Sequence, residues 1–249
     1  MSRTAANKMT ARKEGKVMGT RRNGQSLILV MAVFCAILTL AAIPLNVVSA
    51  DEEYPGIPPY KELAAEWWKW ALSIPCTQAF CPNPLFDNNG DYCAVGQHGD
   101  VWFLAGSFGG NAERYCPVPE GMPLFFPVLN CVQFDSPNAC GQGPESLSVK
   151  ELRSNVAACI VPYAYDLSAT LNGKPLKMKH VQSVVFEVAL PKDNLFGDSC
   201  ARGVYSPSVD EGYYVVVPPL KPGSHTIIFH ADDFLEVKYY LTVVPVKMK

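Results

Sequence analysis

Two histidines near the C-terminus stand close to two aspartates, and these residue types suggest a metal site. His225 and His230 precede Asp232 and Asp233, and imidazole nitrogens and carboxylate oxygens are common ligands of divalent metals. The histidines are five residues apart in a segment that alternates like a strand, so their side chains are expected on opposite faces. The chain has no H-E-x-x-H pair, no EF-hand loop and no glycine-rich phosphate loop. We therefore predict neither a metal site nor a bound cofactor.

Catalysis would need a reactive side chain paired with a base or with a second carboxylate. Cys93 and His98 could form a nucleophile–base pair, but a cysteine of an exported protein is more often held in a disulfide. Ser107 is not part of a G-x-S-x-G nucleophile elbow. Glu62 and Glu66 lie one helical turn apart, as two glycosidase carboxylates can, but they fit a solvated helix face better. No catalytic residue is predicted.

The first 50 residues have the layout of an export signal. Residues 27–45 form an apolar run long enough to span a bilayer, and seven basic residues but a single acidic one precede it. The sequence Val48-Ser49-Ala50 then matches the pattern before a signal-peptidase cleavage site. We predict a signal peptide or a signal anchor over residues 1–50. Residues 51–249 would form a single secreted or extracytoplasmic domain, attached to a membrane only if residues 27–45 remain as an anchor.

Charge is distributed unevenly between these two parts. The 249-residue chain has a formal net charge of −2 at pH 7, but without the seven basic residues and one acidic residue of the first 50, residues 51–249 keep 14 basic and 22 acidic residues. Their net charge is −8. Nucleic-acid binding needs a basic surface for the phosphates. A nucleic-acid partner is therefore not expected.

The cysteine count indicates disulfides. Nine cysteines occur, of which Cys35 lies in the N-terminal segment. Eight is an even number in a chain predicted to reach an oxidising compartment, which favours four disulfides over buried free thiols. Many connectivities are possible, and we predict pairing between neighbours in the sequence. The predicted bridges are Cys76–Cys81, Cys93–Cys116, Cys131–Cys140 and Cys159–Cys200.

The first predicted helix covers residues 60–73, where apolar side chains recur at helical spacing before Pro75 ends the pattern. Trp67 and Trp70 fall on the apolar face and are predicted to be buried. Trp68 falls beside that face, so we predict an exposed ring that could bind a ligand.

A second helix is predicted to end at Pro162. Ser148 and Glu151 have the spacing of a capping box. The apolar stripe of this helix contains Val149, Leu152, Val156, Cys159 and Ile160.

Beyond residue 163 the pattern changes from helical to alternating. Asn172-Gly173 between two short runs predicts a tight hairpin. Residues 184–190 and 235–243 alternate apolar and polar side chains, and residues 213–217 and 226–229 are rich in β-branched and aromatic residues. Strand spacing of this kind is typical of an antiparallel β-sandwich.

Two more strands are predicted earlier in the chain, over residues 100–106 and 123–129, the second with an edge position or a bulge at Pro127. The predicted fold is mainly β with two helices (α+β), a disulfide-stapled antiparallel sandwich of immunoglobulin-like or jelly-roll-like type. The domain is helical and loop-rich over residues 51–163 and strand-rich over residues 164–249.

Several stretches are similar to a group of exported, mainly bacterial proteins. They are Trp67-Trp68-Lys69-Trp70-Ala71-Leu72-Ser73-Ile74-Pro75, Val101-Trp102-Phe103-Leu104-Ala105-Gly106-Ser107-Phe108 and Leu124-Phe125-Phe126-Pro127. A fourth stretch runs from Gly212-Tyr213 to Leu220-Lys221-Pro222-Gly223-Ser224-His225. The resemblance implies an exported β-rich domain. The group has no established activity, so the resemblance supplies no catalytic residues.

These observations predict a non-enzymatic binding protein, with a surface polysaccharide, an envelope component or a protein as its partner. The predicted binding residues are Trp68, Tyr92, His98, Asp100 and Tyr115, and Tyr205 and Tyr214 are further candidates for exposed rings. Two alternatives remain open. One is a hydrolase or lyase that acts on an extracellular polymer with loop carboxylates and His98. The other is a structural subunit that self-assembles through sheet edges.

Overall fold

The computed structural model describes residues 54–245, which belong to one compact unit. This part of the chain contains two α-helices, α1 over Tyr60–Ser73 and α2 over Val149–Ile160. Its strands are β1 Trp102–Phe103, β2 Gly110–Pro119, β3 Leu124–Phe134, β4 Leu167–Leu171, β5 Lys174–Pro175, β6 Lys179–Gln182, β7 Phe186–Leu190, β8 Gly203–Val217, β9 Gly223–Ala231 and β10 Leu235–Val244. The predicted class, mainly β with two helices, is confirmed.

The strands of the described residues form two five-stranded sheets. The order in the first sheet is β1-β3-β8-β6, with β7 also paired to β8, and the order in the second is β2-β10-β9-β4-β5. Most pairs are antiparallel, but β1 pairs with β3 and β2 pairs with β10 in parallel. The prediction of purely antiparallel sheets is therefore wrong. Neither parallel pair is joined by a tight turn, so no hairpin dictates the relative direction of its strands.

Strand β2 is absent from the sequence-based prediction although its side chains alternate regularly. Ala112, Cys116 and Val118 are buried, whereas Glu113, Tyr115 and Pro117 are exposed. The fourth inward position is occupied by Arg114, which is completely buried. A charged residue at a core position hides the apolar alternation on which strand prediction relies.

Two hydrophobic cores lie on the two faces of the first sheet. On one face, which α1 covers, Phe125 of β3 stacks on Tyr214 of β8 with ring centroids 5.0 Å apart. On the other face, which packs against the second sheet, Phe126 stacks on Phe229 of β9, also at 5.0 Å. Successive side chains of a strand alternate between its faces. Neighbouring residues of β3 thus hold the helix and the second sheet in place.

Helix α1 begins and ends as predicted, and Trp67 and Trp70 are buried in the core beneath it. The expectation for Trp68 is wrong, because this ring is only 5% exposed. Its indole N–H donates a hydrogen bond to the carboxylate of Asp210, which lies 142 residues further along the chain. A contact that is so distant in sequence leaves no sign in the helical pattern.

The capping box of α2 is confirmed. Ser148 Oγ accepts a hydrogen bond from the Glu151 amide, and the Glu151 carboxylate accepts one from the Ser148 amide. Leu152 and Val156 pack against Val209 of β8. Two other residues of the predicted stripe, Val149 and Cys159, are exposed.

Local turn signals are confirmed, but one strand begins later than predicted. Asn172 and Gly173 both have positive φ angles, 51° and 76°, as a tight hairpin between β4 and β5 requires. The register of β3 shifts between Pro127 and Leu129, which is the predicted bulge. Val184 lies before β7 and is exposed.

Four disulfides crosslink the domain. They are Cys76–Cys81, Cys93–Cys116, Cys131–Cys159 and Cys140–Cys200. Disulfides persist in oxidising compartments, so they indicate an extracytoplasmic environment. The predicted signal segment, residues 1–50, and its apolar part, residues 27–45, lie outside the described residues. Within residues 54–245 no helix is long and apolar enough to cross a membrane.

Two of the predicted bridges are confirmed and two are wrong. Cys131 and Cys140 are not joined to each other, and neither are Cys159 and Cys200. Helix α2 packs across β3, which brings Cys159 near its end to Cys131. The loop after β3 meets the segment before β8, where the amide of Cys140 donates to the carbonyl oxygen of Ser199. Tertiary packing therefore overrides proximity in the sequence.

Peptide mapping of the unreduced protein tests this connectivity. We expect proteolytic fragments in which Cys131 is linked to Cys159 and Cys140 to Cys200, because α2 and the loop after β3 place these pairs together. The Cys93–Cys116 fragment serves as the internal control, since sequence and structure agree on it. A fragment that links Cys131 to Cys140 would contradict the packing of α2 across β3.

Candidate ligand-binding cavity

A cavity of about 490 Å³ lies between β3, the end of α2 and the loops that follow β1 and β3. Its volume is within the range of pockets that hold drug-sized molecules. The lining residues are 67–68, 85, 106–108, 127–134, 136, 140–142, 147, 159–160, 163, 196, 199–200 and 234–235.

The lining contains no aspartate, glutamate, lysine, arginine or histidine. Most lining side chains are aliphatic or aromatic. A charged ligand in such a site would lose its hydration and find no counter-charge, which is strongly unfavourable. The cavity therefore suits an uncharged and largely apolar molecule.

Most of the polar lining side chains bond to nearby groups of the protein. The hydroxyl of Ser107 donates to the carbonyl of Gly109, and that of Ser199 donates to the carbonyl of Phe196. Ser136 and Gln142 are hydrogen-bonded to each other. The Asn130 amide donates to the hydroxyl of Tyr214, whereas the Gln133 amide and the Tyr163 hydroxyl have no hydrogen bond within the described residues. Asn130 and Gln133 both belong to β3.

Exposed and partly exposed aromatic side chains belong to the lining of the cavity or lie beside it. Phe86 and Phe108, both about half exposed, lie with ring centroids 5.2 Å apart. Tyr163 and Phe234 lie 4.5 Å apart, and the backbone of Gly109 packs against Phe234. Phe108, Tyr163 and Phe234 all belong to the lining. Exposed apolar rings next to an apolar cavity are typical of a ligand entrance.

Two disulfides form part of the wall. Cys131, Cys140, Cys159 and Cys200 all line the cavity and form the bridges Cys131–Cys159 and Cys140–Cys200. One bridge ties the end of α2 to β3, and the other ties the loop after β3 to the segment before β8. These covalent links restrict the movement of the loop after β3 and of the segment before β8, which are not held by helix or sheet hydrogen bonds.

A buried guanidinium group holds the lining segment after β1. Arg114 donates to the carbonyl oxygens of Asp87, Ala105 and Gly106 and to the hydroxyl of Tyr239. These acceptors are uncharged, but together they accept hydrogen bonds from all three nitrogens of the guanidinium group. Because Gly106 lines the cavity, Arg114 fixes one wall from behind.

A buried carboxyl group holds another part of the lining, at Trp68. One oxygen of Asp210, Oδ2, accepts hydrogen bonds from the indole of Trp68 and the hydroxyl of Tyr214, each at 2.7 Å. The other oxygen, Oδ1, has no hydrogen-bond partner within the described residues. Burial raises the pKa of Asp210 to about 8, although the two donors and the nearby Arg153 guanidinium act in the opposite direction. Asp210 is therefore mainly protonated at neutral pH.

The structure does not gather the predicted binding residues into one site. Trp68 lines the cavity, but Tyr92, His98, Asp100 and Tyr115 do not. His98 and Asp100 are exposed, and the ring of His98 lies against the carbonyl oxygen of Gly96.

The two predicted tyrosines lie in separate aromatic pairs. Tyr115 of β2 is 63% exposed and stacks on Tyr240 of β10 at 4.9 Å. Tyr92 contacts Phe80 with its ring edge-on. Neither pair belongs to the cavity.

Two further aromatic candidates differ from expectation. Tyr214 is completely buried, so its prediction as an exposed ring is wrong. Its hydroxyl donates a hydrogen bond to Asp210, and its ring stacks on Phe125. Tyr205 is partly buried and packs against Phe134.

The histidines and acids near the C-terminus are not gathered into a metal site. The ring of His225 contacts Asn172 and the carbonyl of Lys221, while His230 contacts Ser168 and Asp166. Across residues 54–245 there is no cluster of three or more His, Cys, Asp or Glu side chains that could hold a metal ion.

Sequence reasoning missed Asn130, Arg114 and Asp210. Asp210 and Arg114 are charged residues in segments whose neighbours are buried strand residues. A charged residue at an inward position of a strand pattern is the one sequence signal that could have identified them, since a buried charge must have partners.

Substitution of Arg114 tests its role in holding the cavity wall. Arg114→Lys is expected to lower the free energy of unfolding by about 3 kcal/mol, because one ammonium group cannot reach three separated carbonyls and leaves buried acceptors unpaired. Urea unfolding measures the change. Lys238→Met is the control, since Lys238 forms only surface ion pairs and no measurable change is expected. A stability of Arg114→Lys equal to that of the wild type would contradict this role.

The buried carboxyl makes stability depend on pH. The folded protein keeps the Asp210 proton up to about pH 8, whereas the unfolded chain releases it near the ordinary pKa of 3.8. The stabilising contribution of Asp210 to the free energy of unfolding is therefore fully present below pH 3.8 and is lost as the pH rises through 8. We expect a decrease of at most about 6 kcal/mol, measured by urea unfolding at several pH values.

Asp210→Asn resembles the protonated acid and should remove this pH dependence. The exposed Asp198→Asn variant is the matched control and should keep the wild-type slope. An Asp210→Asn protein that loses stability with pH as steeply as the wild type would show that other groups are responsible.

Comparison with known proteins finds no matching family model, no similar curated protein and no similar solved structure. The geometry and chemistry of the cavity are therefore the basis for inferring a function.

Proposed function

We propose that this chain is an exported, non-enzymatic binding protein that holds an uncharged, largely apolar small molecule in its cavity. The observation that carries the proposal is an aromatic-edged cavity of about 490 Å³ without a charged side chain in its lining. Apolar surface with a few polar groups is the usual composition of a small-molecule site.

The position of the sequence motifs supports this proposal. The stretch over residues 67–75 contributes Trp67 and Trp68 to the lining, the stretch over residues 101–108 contributes Gly106 to Phe108, and the stretch over residues 124–127 contributes Pro127. These are three of the four stretches on which the sequence resemblance to exported proteins rests. Their meeting at one cavity favours a function located there.

The four disulfides support an extracytoplasmic site of action. We infer that residues 1–50 direct export, and that residues 27–45 either are removed or anchor the domain. For the fold, we propose that the two sheets form a sandwich of immunoglobulin-like or jelly-roll-like type. A ligand drawn from the cell envelope agrees with this location.

Polysaccharide binding on the outer face of the second sheet is a second candidate. Tyr115 is largely exposed beside Tyr240, and an exposed aromatic ring can stack on the apolar face of a sugar.

Self-assembly through the β2 edge is less favoured, because the carbonyl oxygens of Asn88 and Asn89 already accept hydrogen bonds from the amides of Glu113 and Tyr115 of that edge. A hydrolase is not supported at the cavity, whose lining has no carboxylate.

Equilibrium dialysis with naphthalene and naphthalene-2-sulfonate tests the proposed function. The wild type is expected to bind naphthalene and to bind the sulfonate at least a hundredfold more weakly, because a sulfonate would lie unpaired in an apolar site. Absence of naphthalene binding, or equal binding of the sulfonate, would overturn the proposal.

Two leucine variants locate the binding. A Cβ atom at Gly106 would meet only Pro127, at 3.9 Å, so Gly106→Leu can enter the cavity without a backbone clash. This variant is expected to weaken naphthalene binding at least tenfold. Gly143→Leu is the matched control, since Gly143 lies outside the lining and has open space around it. Naphthalene affinity that is unchanged in Gly106→Leu would place the binding elsewhere.

A further inference from the structure

We propose that Asn130 selects the ligand, and that the ligand carries an uncharged hydrogen-bond donor, a hydroxyl or an amide N–H, which binds Asn130 Oδ1. This inference rests on the proposed function and names the class of molecule that the cavity takes.

The backbone places Asn130 in the cavity wall. It follows the bulge of β3 and lies opposite Gly212 of β8 in the register of the two strands. A Cβ atom at Gly212 would lie 2.6 Å from Asn130 Cβ and 2.6 Å from the carbonyl oxygen of Leu129. Any larger residue at position 212 would therefore push Asn130 out of its place.

Hydrogen-bond directions then fix the orientation of the amide. Tyr214 has one hydroxyl proton, which it donates to Asp210 Oδ2 at 2.7 Å. The oxygen of Tyr214 is left as an acceptor, and it receives a bond from Asn130 Nδ2 at 3.0 Å. The nitrogen of Asn130 is thus held towards Tyr214, and Oδ1 points away from it.

The network beyond Tyr214 keeps this order from reversing. The same Asp210 oxygen also accepts from Trp68 Nε1 at 2.7 Å. Because Oδ2 accepts from both donors, the proton of the neutral acid lies on Oδ1, and the proton of Tyr214 stays on the Asp210 side. Trp68, Asp210 and Tyr214 are accordingly positioning residues for Asn130.

Asn130 Oδ1 has no hydrogen-bond partner within the part of the chain that the structure describes. A half-buried acceptor in a cavity wall binds a donor or stays hydrated. Gln133 also has an amide in the lining, but no hydrogen bond of the described residues orients it. A fixed acceptor discriminates between ligands better than a mobile one, because less order is lost on binding.

The experiment uses two probes of similar size, 2-naphthol and 2-methylnaphthalene, of which only the first donates a hydrogen bond. The measured quantity is the affinity ratio of 2-naphthol to 2-methylnaphthalene, obtained by equilibrium dialysis. Asn130→Leu is expected to lower this ratio about tenfold relative to the wild type, because the acceptor is lost while the branched shape of the side chain is kept. Gln133→Leu is the matched control and should leave the ratio within about twofold of the wild type.

Tyr214→Phe is a second variant that keeps Asn130 itself. The ring remains to stack on Phe125, but the amide of Asn130 is no longer held. We expect the affinity ratio to fall about threefold with little change in the affinity for 2-methylnaphthalene. If Asn130→Leu does not fold, the ratio measured for Tyr214→Phe tests whether Asn130 selects the ligand.

The inference is overturned if the ratio is unchanged in Asn130→Leu, or if Gln133→Leu lowers it as much, or if Tyr214→Phe leaves it intact when Asn130→Leu cannot be purified. These outcomes differ from failure of the proposed function, in which the wild type binds neither naphthalene nor its derivatives.

Discussion

The buried carboxyl group of Asp210 is the point at which the parts of this domain meet. Its side chain accepts from Trp68 of α1 and Tyr214 of β8. Its main-chain oxygen accepts from Arg153 of α2, and its amide donates to Ser183 between β6 and β7. Because burial keeps the acid protonated near neutral pH, this junction avoids the cost of an unpaired charge in the core. Both helices are thereby held on the first sheet.

The cavity needs such restraints because much of its wall is irregular chain. Segments without regular backbone pairing gain less from hydrogen bonding and tend to move. Here Arg114 holds the segment after β1, and two disulfides hold the loop after β3 and the end of α2. Hydrogen bonds and disulfides thus restrain wall segments that, next to an open cavity, are not held by close packing.

The features that could be predicted from the sequence are those that neighbouring residues determine. The bounds of α1, the capping box at Ser148 and the Asn172-Gly173 turn depend on contacts within a few residues. The burial of Trp68 depends on Asp210, and the partner of Cys131 depends on how α2 crosses β3. The cavity could not be predicted either, because its wall is assembled from distant segments.

The chemistry of the lining agrees with the proposed binding function. General acid–base catalysis needs a titratable group within hydrogen-bond reach of the reacting atoms, and the lining offers the hydroxyl of Tyr163 but no acid, lysine or histidine. The four lining cysteines are in disulfides, so none is available as a thiolate nucleophile. The carboxyl with a raised pKa, Asp210, is not part of the lining, and its Oδ2 is occupied by Trp68 and Tyr214. What these groups provide instead is a fixed amide at Asn130 in an apolar wall, and a fixed hydrogen-bonding group in such a wall selects a ligand by its shape and by one polar contact.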